Sequence, residues 1–550
     1  MKPISLLLLS LGVQTAFAAP APSFDPQQLS KDIQTLSSDA YEGRAPDSAG
    51  ETKTVAFLIE QFKAAGLQPG GDLKDGQRGW TQAVPLGKFQ IKGPVTASIS
   101  VNGKSQALQQ GEQIAIRAAM NGQSDIDIQN APLVFVGYGV NAAERGWDDF
   151  RGLDLKGKIA IVLINDPDFE TGQGEFGGKA MTYYGRWTYK FEEMARRGAA
   201  GTLIVHETAP ASYGWPTVKN SNTNIMFDIV RKEPAKAHAP IEAWIQRDFA
   251  ASLFQQAGLD FEALKRSAQK KDFKPVLVDG VNFSARFSVD AQRIVSQNVA
   301  ALLPGSRHPE QTIIYSGHWD HLGIGAAAAD GDTIYNGAVD NATGMAAMLE
   351  LARAYGKAPA PERSVLFLAV TAEEKGLLGS EYYAANPLYP LGKTVAMINM
   401  DALGVGGPAR NFTISGNAQL ELLDQLISTA KQWDLVYSPD PKPEAGHFFR
   451  SDHFPLAKRG VPAISFGSGE DLLEGGTAAG AAAEMAYNEN KYHQPSDEWQ
   501  ADWPLTGMAR DLQVLYTLGR DLAESSAWPN WSADSEFRNA RDASAAERGN

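Results

Sequence analysis

After about residue 289 the hydrophobic pattern of the chain alternates between two periodicities. Short runs in which nearly every position is apolar are followed by stretches whose apolar residues recur every three or four positions. The first pattern is typical of strands buried on both faces, and the second is typical of helices with one buried side. We therefore predict an α/β fold in which a mixed, mostly parallel sheet is flanked by helices. The predicted strands are 298–303, 312–316, 364–370, 394–399 and 463–466, and the predicted helices are 344–355, 377–385 and 418–432.

The middle of the chain has a different pattern. Alternating apolar and polar residues lead into Asn102-Gly103, a strong signal for a hairpin turn, and further apolar runs predict buried strands. This stretch has no cluster of histidines with carboxylates. The predicted organisation is a β-rich insertion at 89–288, a discontinuous domain at 25–88 and 289–525, and a polar tail without periodicity at 526–550 that we expect to be disordered.

The N-terminus has the pattern of a secretory signal peptide. Lys2 is followed by an apolar run to about Val13, and Ala16-Phe17-Ala18 provides small residues at a cleavage site. A membrane anchor is the alternative, but the run is shorter than the roughly 20 apolar residues that span a bilayer. We predict cleavage of residues 1–18, a secreted or periplasmic protein, and no membrane span in the mature chain.

Composition narrows the chemistry. The chain has 550 residues with 64 acidic and 50 basic side chains, a net charge of −14, which argues against nucleic-acid binding. It contains no cysteine, so disulfides, thiolate metal sites and a cysteine nucleophile are excluded. Histidine, aspartate and glutamate must therefore hold any metal ion.

Residues of types that commonly bind metals follow the predicted strands or, in the case of Asp340, precede a predicted helix. In an open α/β sheet, ligands gather beyond the carboxyl ends of the strands, so these side chains should converge on one edge. Taken singly, each has an ordinary explanation, such as a structural histidine, a helix cap or an exposed acidic pair. Their joint order predicts a metal site. The residues are His318, Asp340, Glu373, Glu374 and Asp401.

Five motifs of this region resemble the M28 family of co-catalytic zinc peptidases. The resemblance covers about 290–525 and, more weakly, 25–86. In the insertion, FVGYG at 135–139 and RGAAG at 197–201 resemble the protease-associated domain that is often inserted in this family. The five motifs are SGHWDH at 316–321, GAVDNATG at 337–344, AEEKGLLGS at 372–380, MD at 400–401 and YHQPSD at 492–497.

The resemblance implies a zinc-peptidase fold with two zinc ions per chain. His318 and Asp401 would bind one ion, and Glu374 and His493 would bind the other. Asp340 would bridge the two ions, and the peptide bond that follows Asp340 would be cis. Histidine nitrogen and carboxylate oxygen are ordinary zinc ligands, so this set is chemically reasonable.

The same resemblance implies two catalytic assignments. Glu373 would be the general base, taking a proton from a water held between the zinc ions and handing it to the leaving amine. Asp320 would accept the second ring N–H of His318 and fix the orientation of that ring. The alternative for Glu373 is an acid that only supports the site.

Substrate contacts are less defined. His453 lies in the stretch GHFFRSDHFP at 446–455, and it would either contact substrate or pack within its loop. Trp319 stands where the family commonly has tyrosine, which should alter packing or the substrate rim. His321 lies close to the site but exceeds the ligand set. The insertion supplies no ligand, so we expect it to shape substrate access or partner binding rather than chemistry.

The predicted function is an exported di-zinc metallopeptidase acting on peptides, an aminopeptidase that releases N-terminal residues. Three alternatives stay open: a carboxypeptidase or dipeptidase on the same scaffold, a glutaminyl cyclase, which normally uses one zinc, and a non-catalytic receptor-like relative. The preferred residue and the oligomeric state do not follow from the sequence.

Overall fold

The computed structural model describes residues 22–533 and 535–548. The predicted signal peptide, residues 1–18, lies outside the described residues. The strands are β1 (Gln68–Pro69), β2 (Leu73–Lys74), β3 (Gln77–Arg78), β4 (Thr81–Val101), β5 (Lys104–Leu108), β6 (Ile114–Ile116), β7 (Asp125–Phe135), β8 (Asn141–Ala142), β9 (Trp147–Asp148), β10 (Ile159–Leu163), β11 (Gly201–His206), β12 (Met226–Ile229), β13 (Ile241–Gln246), β14 (Val276–Leu303), β15 (His308–His318), β16 (Gly323–Ile324), β17 (Ile334–Tyr335), β18 (Arg363–Val370), β19 (Thr394–Met400), β20 (Asn411–Ile414), β21 (Val436–Tyr437) and β22 (Ala463–Ser468).

Most of these strands form one large sheet, and helices pack on it. In the described part of the chain, no helix is both long and apolar enough to cross a membrane. The helices are α1 (Pro26–Leu36), α2 (Ala49–Ala64), α3 (Trp187–Arg196), α4 (Thr208–Ala211), α5 (Trp215–Asn222), α6 (Arg247–Gln256), α7 (Phe261–Ala268), α8 (Thr343–Lys357), α9 (Leu378–Ala385), α10 (Glu421–Ala430), α11 (His453–Ala457), α12 (Gly476–Asn490), α13 (Thr506–Glu524), α14 (Arg538–Ala543) and α15 (Ala545–Arg548).

The C-terminal half has the predicted α/β architecture. Strand β15 pairs in parallel with β18 on one side and β19 on the other, and β19 pairs in parallel with β22. All residues of β18 and β19 are buried, as expected for parallel strands covered on both faces. Helices α8 and α13 pack on β15 and β18, while α11 packs on β19 and β22. The predicted strands and helices of this region are confirmed with ends that differ by a few residues, except that the strand predicted at 298–303 is the end of β14, which begins at Val276.

The N-terminal helices join the same core. Asp25 caps α1, which begins at Pro26, and the Ser48 hydroxyl accepts the Glu51 N–H at the start of α2. Buried apolar residues of both helices, such as Leu29 and Leu58, pack in the core of the C-terminal half. Residues 25–64 and the α/β region therefore share one hydrophobic core, although the sequence between them is long.

Two long strands connect the halves of the molecule. Strands β4 and β14 pair antiparallel along almost their full length, from Val281 opposite Val101 to Val299 opposite Thr81. The limits that we predicted for the insertion, 89 and 288, both fall inside this ribbon. Beyond it, β7, β10, β11 and β13 form a parallel sheet with a separate hydrophobic core. The insertion is thus a continuation of the main sheet.

The prediction of a disordered tail is wrong for residues 526–533 and 535–548. Trp531 is 1% exposed, and its indole N–H donates to the Gly460 carbonyl at 3.2 Å. Arg541 is equally buried and donates to the carbonyl oxygens of Thr394, Val395 and Pro529. The packing of this tail could not be predicted, because its sequence is mostly polar and its buried side chains are too few to produce a periodic pattern.

We predict that Trp531→Ala lowers the free energy of unfolding by about 3–5 kcal/mol, because it leaves a large cavity under the tail. Chemical denaturation followed by circular dichroism measures this change. Leu73→Ala is the control, since Leu73 is 64% exposed and should change stability by less than about 0.5 kcal/mol. Equal, small effects in both variants would contradict the docking of the tail.

Candidate metal centre

The predicted site residues gather at the carboxyl ends of the parallel strands. His318 is the last residue of β15, Glu373 and Glu374 follow β18, and Asp401 follows β19. Asp340 lies in the turn Ala338–Ala342 before α8, where the Asp340–Asn341 peptide is cis as predicted. His493 follows α12 at the same edge. Because adjacent parallel strands end side by side, residues far apart in sequence meet here.

Two histidines each face two carboxylates, and they share Asp340. The Nε2 atom of His318 lies 3.2 Å from Asp340 Oδ1 and 3.1 Å from Asp401 Oδ1. The Nε2 atom of His493 lies 3.2 Å from Asp340 Oδ2 and 3.0 Å from Glu374 Oε2. Each oxygen of Asp340 therefore belongs to a different group of three donor atoms, the arrangement of a bridging carboxylate.

These spacings suit metal ligands. Ligand atoms bound at about 2.0 Å in a tetrahedral zinc site lie about 3.3 Å from one another, close to the four separations just given. One donor atom from each of His318, Asp340 and Glu374 lies within 4.8 Å of the others. The donors are imidazole nitrogen and carboxylate oxygen, which zinc accepts readily.

The hydrogen bond of His318 Nδ1 indicates which ring nitrogen is free to bind a metal ion. His318 Nδ1 lies 3.0 Å from the carbonyl oxygen of Asp320, which can only accept a hydrogen bond. In the neutral ring Nδ1 then carries the proton, and the lone pair of Nε2 points at the carboxylates of Asp340 and Asp401. Lone pair and carboxylates repel each other unless a proton or a metal cation lies between them, so the residues present fit a metal ion.

Buried negative charge points to a cation as well. The side chains of Asp340, Glu373, Glu374 and Asp401 are all less than one-fifth exposed. Four buried carboxylates in contact are unfavourable without positive charge between them. Two divalent cations would neutralise them.

The site also shifts the pKa values of its own groups. Burial raises the pKa of Asp340, but hydrogen bonds from His318 and His493 outweigh it and hold the pKa well below its usual range. Burial raises the pKa of Glu373 well above its ordinary value, and Asp401 and Glu374 add to this against the attraction of His318. A carboxylate with a raised pKa is suited to accept a proton.

Surrounding groups fix the ligand loops. The carboxylate of Asp497 accepts the backbone N–H groups of Val339 and Asp340 at 3.1–3.2 Å. The Ser451 hydroxyl donates to Asp401 Oδ2 at 2.6 Å and accepts from Asn399 Nδ2 at 2.6 Å. These contacts fix the backbone at Asp340 and the carboxylate of Asp401, which keeps the donor atoms convergent.

The buried guanidinium of Arg44 holds three loops together. It donates to the carbonyl oxygens of Trp319, Asn336 and Gly337 at 2.6–2.9 Å, and to that of Leu36 at 2.8 Å. Arg44 lies in the N-terminal segment, so residues 25–64 contribute to the site through this side chain. Sequence reasoning missed it.

Backbone conformation at the site is unusual. Ala372, Ala402 and His493 have φ between +52° and +56°, a left-handed region that residues with a Cβ seldom occupy. Ala372 precedes Glu373, and Ala402 follows Asp401. Each sharp turn directs an acidic side chain back over the end of its strand, and such conformations cluster at functional sites.

Three predicted contacts need correction. The Asp320 carboxylate lies 3.9 Å from His318 Nδ1, because the backbone carbonyl of Asp320 takes that position, and Asp320 Oδ1 instead accepts the Glu373 N–H at 3.1 Å. Trp319 is fully buried and donates to the Gln297 carbonyl, so it cannot contact substrate. His453 is also fully buried, packs edge-on against the Phe448 ring, and has a pKa lowered to about 3 by burial.

His321 belongs to the site, although the sequence prediction set it aside. Its ring is fully buried, and Nδ1 lies 2.5 Å from Glu374 Oε1. Glu374 thus faces His493 with one oxygen and His321 with the other. The HWDH spacing at 318–321 was the available signal, since it brings a second histidine back to the strand end.

The insertion reaches the site through Ser221. This residue lies near the end of α5, and its hydroxyl is 2.8 Å from His493 Nδ1. Asn220 Nδ2 donates to the His493 carbonyl at 3.0 Å. The insertion therefore contacts a candidate ligand, a role beyond the substrate access or partner binding that we expected of it.

Two cavities flank the candidate metal centre. One, of about 280 Å³, is lined by Glu373, Glu374 and His493 together with many residues of the insertion. The other, of about 310 Å³, is lined by Asp340, Glu373 and Asp401 and by residues of α12. Glu373 lines both, so a substrate could extend across it from one cavity to the other.

Part of the chain is similar in sequence to known peptidases. Residues 298–517 match the sequence profile of peptidase family M28. A probable zinc metalloprotease of Pyrenophora teres f. teres is 34% identical over 127 residues, which cover 22% of this chain and 27% of that protein. One of Pyricularia oryzae is 32% identical over 130 residues, covering 24% of each. The alignments thus span about a quarter of the length of these relatives.

Solved structures share the fold over nearly the whole chain. An aminopeptidase from Aneurinibacillus sp. strain AM-1 has a TM-score of 0.53 at 19% identity, covering 91% of this chain and 94% of that one. BSAP, a zinc aminopeptidase from Bacillus subtilis, has a TM-score of 0.50 at 18% identity, covering 94% and 98%. At such identities the likeness concerns the fold, and it supports the predicted α/β class.

We predict that Ser221→Ala lowers the zinc affinity of the position that involves His493 by about 10–100-fold, the usual effect of losing a group that orients a ligand. Competition with a chelator of known affinity measures the loss. Ser221→Thr keeps the hydroxyl and should stay near the parent. Thr223→Ala is the control, because the Thr223 hydroxyl donates to the Lys219 carbonyl. Unchanged zinc affinity in Ser221→Ala would contradict the assignment.

Proposed function

From the membership of residues 298–517 in peptidase family M28, we propose that this protein is a zinc-dependent metallopeptidase with two zinc ions, and that it acts as an aminopeptidase. The observation that supports two ions is the position of the Asp340 carboxylate. One of its oxygens faces His318, and the other faces His493. A site for a single ion needs no shared carboxylate, which argues against the one-zinc cyclase alternative.

The residues divide into two ligand sets with one member in common. His318, Asp401 and Asp340 would hold one ion, and His493, Glu374 and Asp340 the other. When bound, the zinc ions would polarise the scissile carbonyl and acidify a water molecule. All five predicted ligands converge, which argues against a non-catalytic relative.

Glu373 is the proposed base. It lines both cavities, and its Oε2 atom lies 3.9 Å from His318 Nε2, beside the ligands but outside the two donor groups. Glu373 would accept a proton from the attacking water and donate it to the amine that leaves. Its backbone N–H donates to the Asp320 carboxylate, so the side chain of Asp320 positions the base, while the backbone carbonyl of Asp320 orients His318.

The larger of the two cavities is suited to bind the N-terminus of a peptide substrate. Besides ligand carboxylates it is lined by Glu470 and Glu484, with Lys442 and Arg450 as the cations. Burial raises the pKa of Glu470, and the nearby charge of Glu484 adds to this. Excess negative charge suits the ammonium group of a peptide N-terminus, which favours an aminopeptidase over a carboxypeptidase.

We also propose export, supported by the N-terminal pattern that ends at Ala18. N-terminal sequencing of the mature protein from periplasm or culture medium tests this proposal, with Ala19 as the expected first residue. A protein that retains residues 1–18 in the cytoplasm would contradict it.

Asp340→Ala should remove both zinc ions, because this residue supplies an oxygen to each set. Elemental analysis of purified protein should give about two zinc per chain for the parent and close to none for the variant. Asp330→Ala removes an exposed acid from a neighbouring loop and should keep both ions. Near-full zinc content in Asp340→Ala would contradict the bridging assignment.

Glu373→Gln should lower kcat by about 10²–10⁴-fold while zinc content stays at two, because the amide keeps the shape but accepts no proton. Glu374→Gln, its neighbour, should lose zinc instead. Hydrolysis of aminoacyl-p-nitroanilides and zinc analysis on the same samples separate the two effects. A Glu373→Gln variant that keeps more than about a tenth of the rate, or that loses metal, would exclude the base assignment.

A further inference from the structure

The smaller cavity beside the metal centre contains positive charge that the chain itself does not neutralise. Five cationic side chains line it, and three of them have carboxylate partners. Arg117 pairs with Glu242 at 3.1 Å, Arg231 with Asp228 at 2.6 Å, and Lys458 with Glu381 at 2.9 Å. The two cations that remain are Arg186, from the insertion, and Arg450, from the α/β region. Arg450 lies between the two cavities and lines both.

Arg186 is the more unusual of the two. It is 8% exposed, and its Nε atom has no hydrogen-bond partner within the described part of the chain. Burial and the charge of Arg450 together lower its pKa to about 10, and the tyrosines Tyr213, Tyr492 and Tyr183 oppose this shift. A buried guanidinium without an anion is costly, so its position requires a reason outside the folded chain.

Arg450 is held by neutral groups. It donates to the Ser212 hydroxyl at 2.8 Å and to the Tyr492 hydroxyl at 3.0 Å, and its guanidinium lies 5.3 Å from the centre of the Tyr213 ring. Glu373 helps to keep it protonated but forms no ion pair with it within 4.0 Å among the described residues. These contacts hold the guanidinium in place at the cavity without neutralising its charge.

We propose that Arg186 and Arg450 bind a carboxylate of the substrate on the leaving-group side of the scissile bond. This inference rests on the proposed peptidase function. Guanidinium groups match carboxylates in shape and charge and bind them with paired hydrogen bonds. The acidic cavity on the other side of Glu373 suits the amino end, so the two cavities would orient a peptide by its opposite charges.

The carboxylate could have two sources. One is the C-terminal carboxylate of a dipeptide, and the other is an acidic side chain on the second residue of a longer peptide. The cavity volume of about 280 Å³ is near the lower end for ligand pockets, which suits a short leaving group. Both sources present the same group to the arginines, and substrates can separate them.

The first experiment uses the zinc-loaded parent protein and four substrates that share the N-terminal residue X released fastest from aminoacyl-p-nitroanilides. X-Ala is compared with X-Ala-NH₂, and X-Asp-NH₂ with X-Asn-NH₂. A charged hydrogen bond corresponds to a preference of about 10–100-fold in kcat/KM. Preference in the first pair assigns the C-terminal carboxylate, preference in the second assigns the side chain, and preference in neither overturns the proposal.

Variants then test whether Arg186 causes the preference for a carboxylate over an amide. In Arg186→Gln the carboxylate-to-amide ratio should fall to about threefold or less, with zinc content and melting temperature unchanged, and Arg186→Lys should be intermediate. Lys458→Gln removes a cation of the same cavity that is already paired, so it should keep the ratio. A ratio that survives in Arg186→Gln would overturn the assignment to this residue.

A binding measurement separates this inference from the proposed function. Calorimetric titration with N-acetylalanine and N-acetylalaninamide requires no hydrolysis and no free amine. Binding of the carboxylate alone, weakened in Arg186→Gln or Arg186→Lys but kept in Lys458→Gln, would support the site even if no peptide is cleaved. Equal binding of both compounds, together with no preference in hydrolysis, would refute the carboxylate site while leaving the peptidase proposal intact.

Discussion

The concentration of buried negative charge around Asp340 is the constraint on which the rest of the site depends. Four carboxylates come from three loops, which carry Asp340, the pair Glu373 and Glu374, and Asp401, and their mutual repulsion would drive those loops apart. The chain opposes this with a buried cation, Arg44, which joins the loops by hydrogen bonds to their carbonyl oxygens. Asp497 fixes the backbone of Asp340 but adds a further buried carboxylate. The remaining imbalance is what divalent cations would neutralise.

Many residues at the metal-site edge of the sheet could be predicted from the sequence, because each of them directly follows a strand with a clear pattern. Buried parallel strands have a clear apolar pattern, and residues that follow their carboxyl ends must meet. His318, Glu373, Glu374 and Asp401 are found in this way. The direction of a side chain at a strand end is less predictable. His318 and Trp319 are neighbours in the chain, but one faces the carboxylates and the other is buried beside Gln297.

Contacts between distant segments could not be predicted. Ser221 and His493 are 272 residues apart, and Arg44 and Gly337 are 293 apart. No periodicity or motif links such pairs, because the contact exists only after both segments have packed on the same sheet. The buried Arg541 and Trp531 of the tail were missed for the same reason, since their partners Thr394 and Gly460 lie far upstream.

The position of the insertion follows from strand pairing. Strand β12 pairs with β4 at residues 86–89, where β4 also pairs with β14. This fixes the end of α5, which precedes β12 and carries Ser221. Phe227 of β12 packs in one apolar cluster with Ala372, the residue before Glu373. Displacement of the insertion would disturb the loop of the proposed base and a contact of His493, so the smaller cavity and the candidate metal centre are mechanically linked.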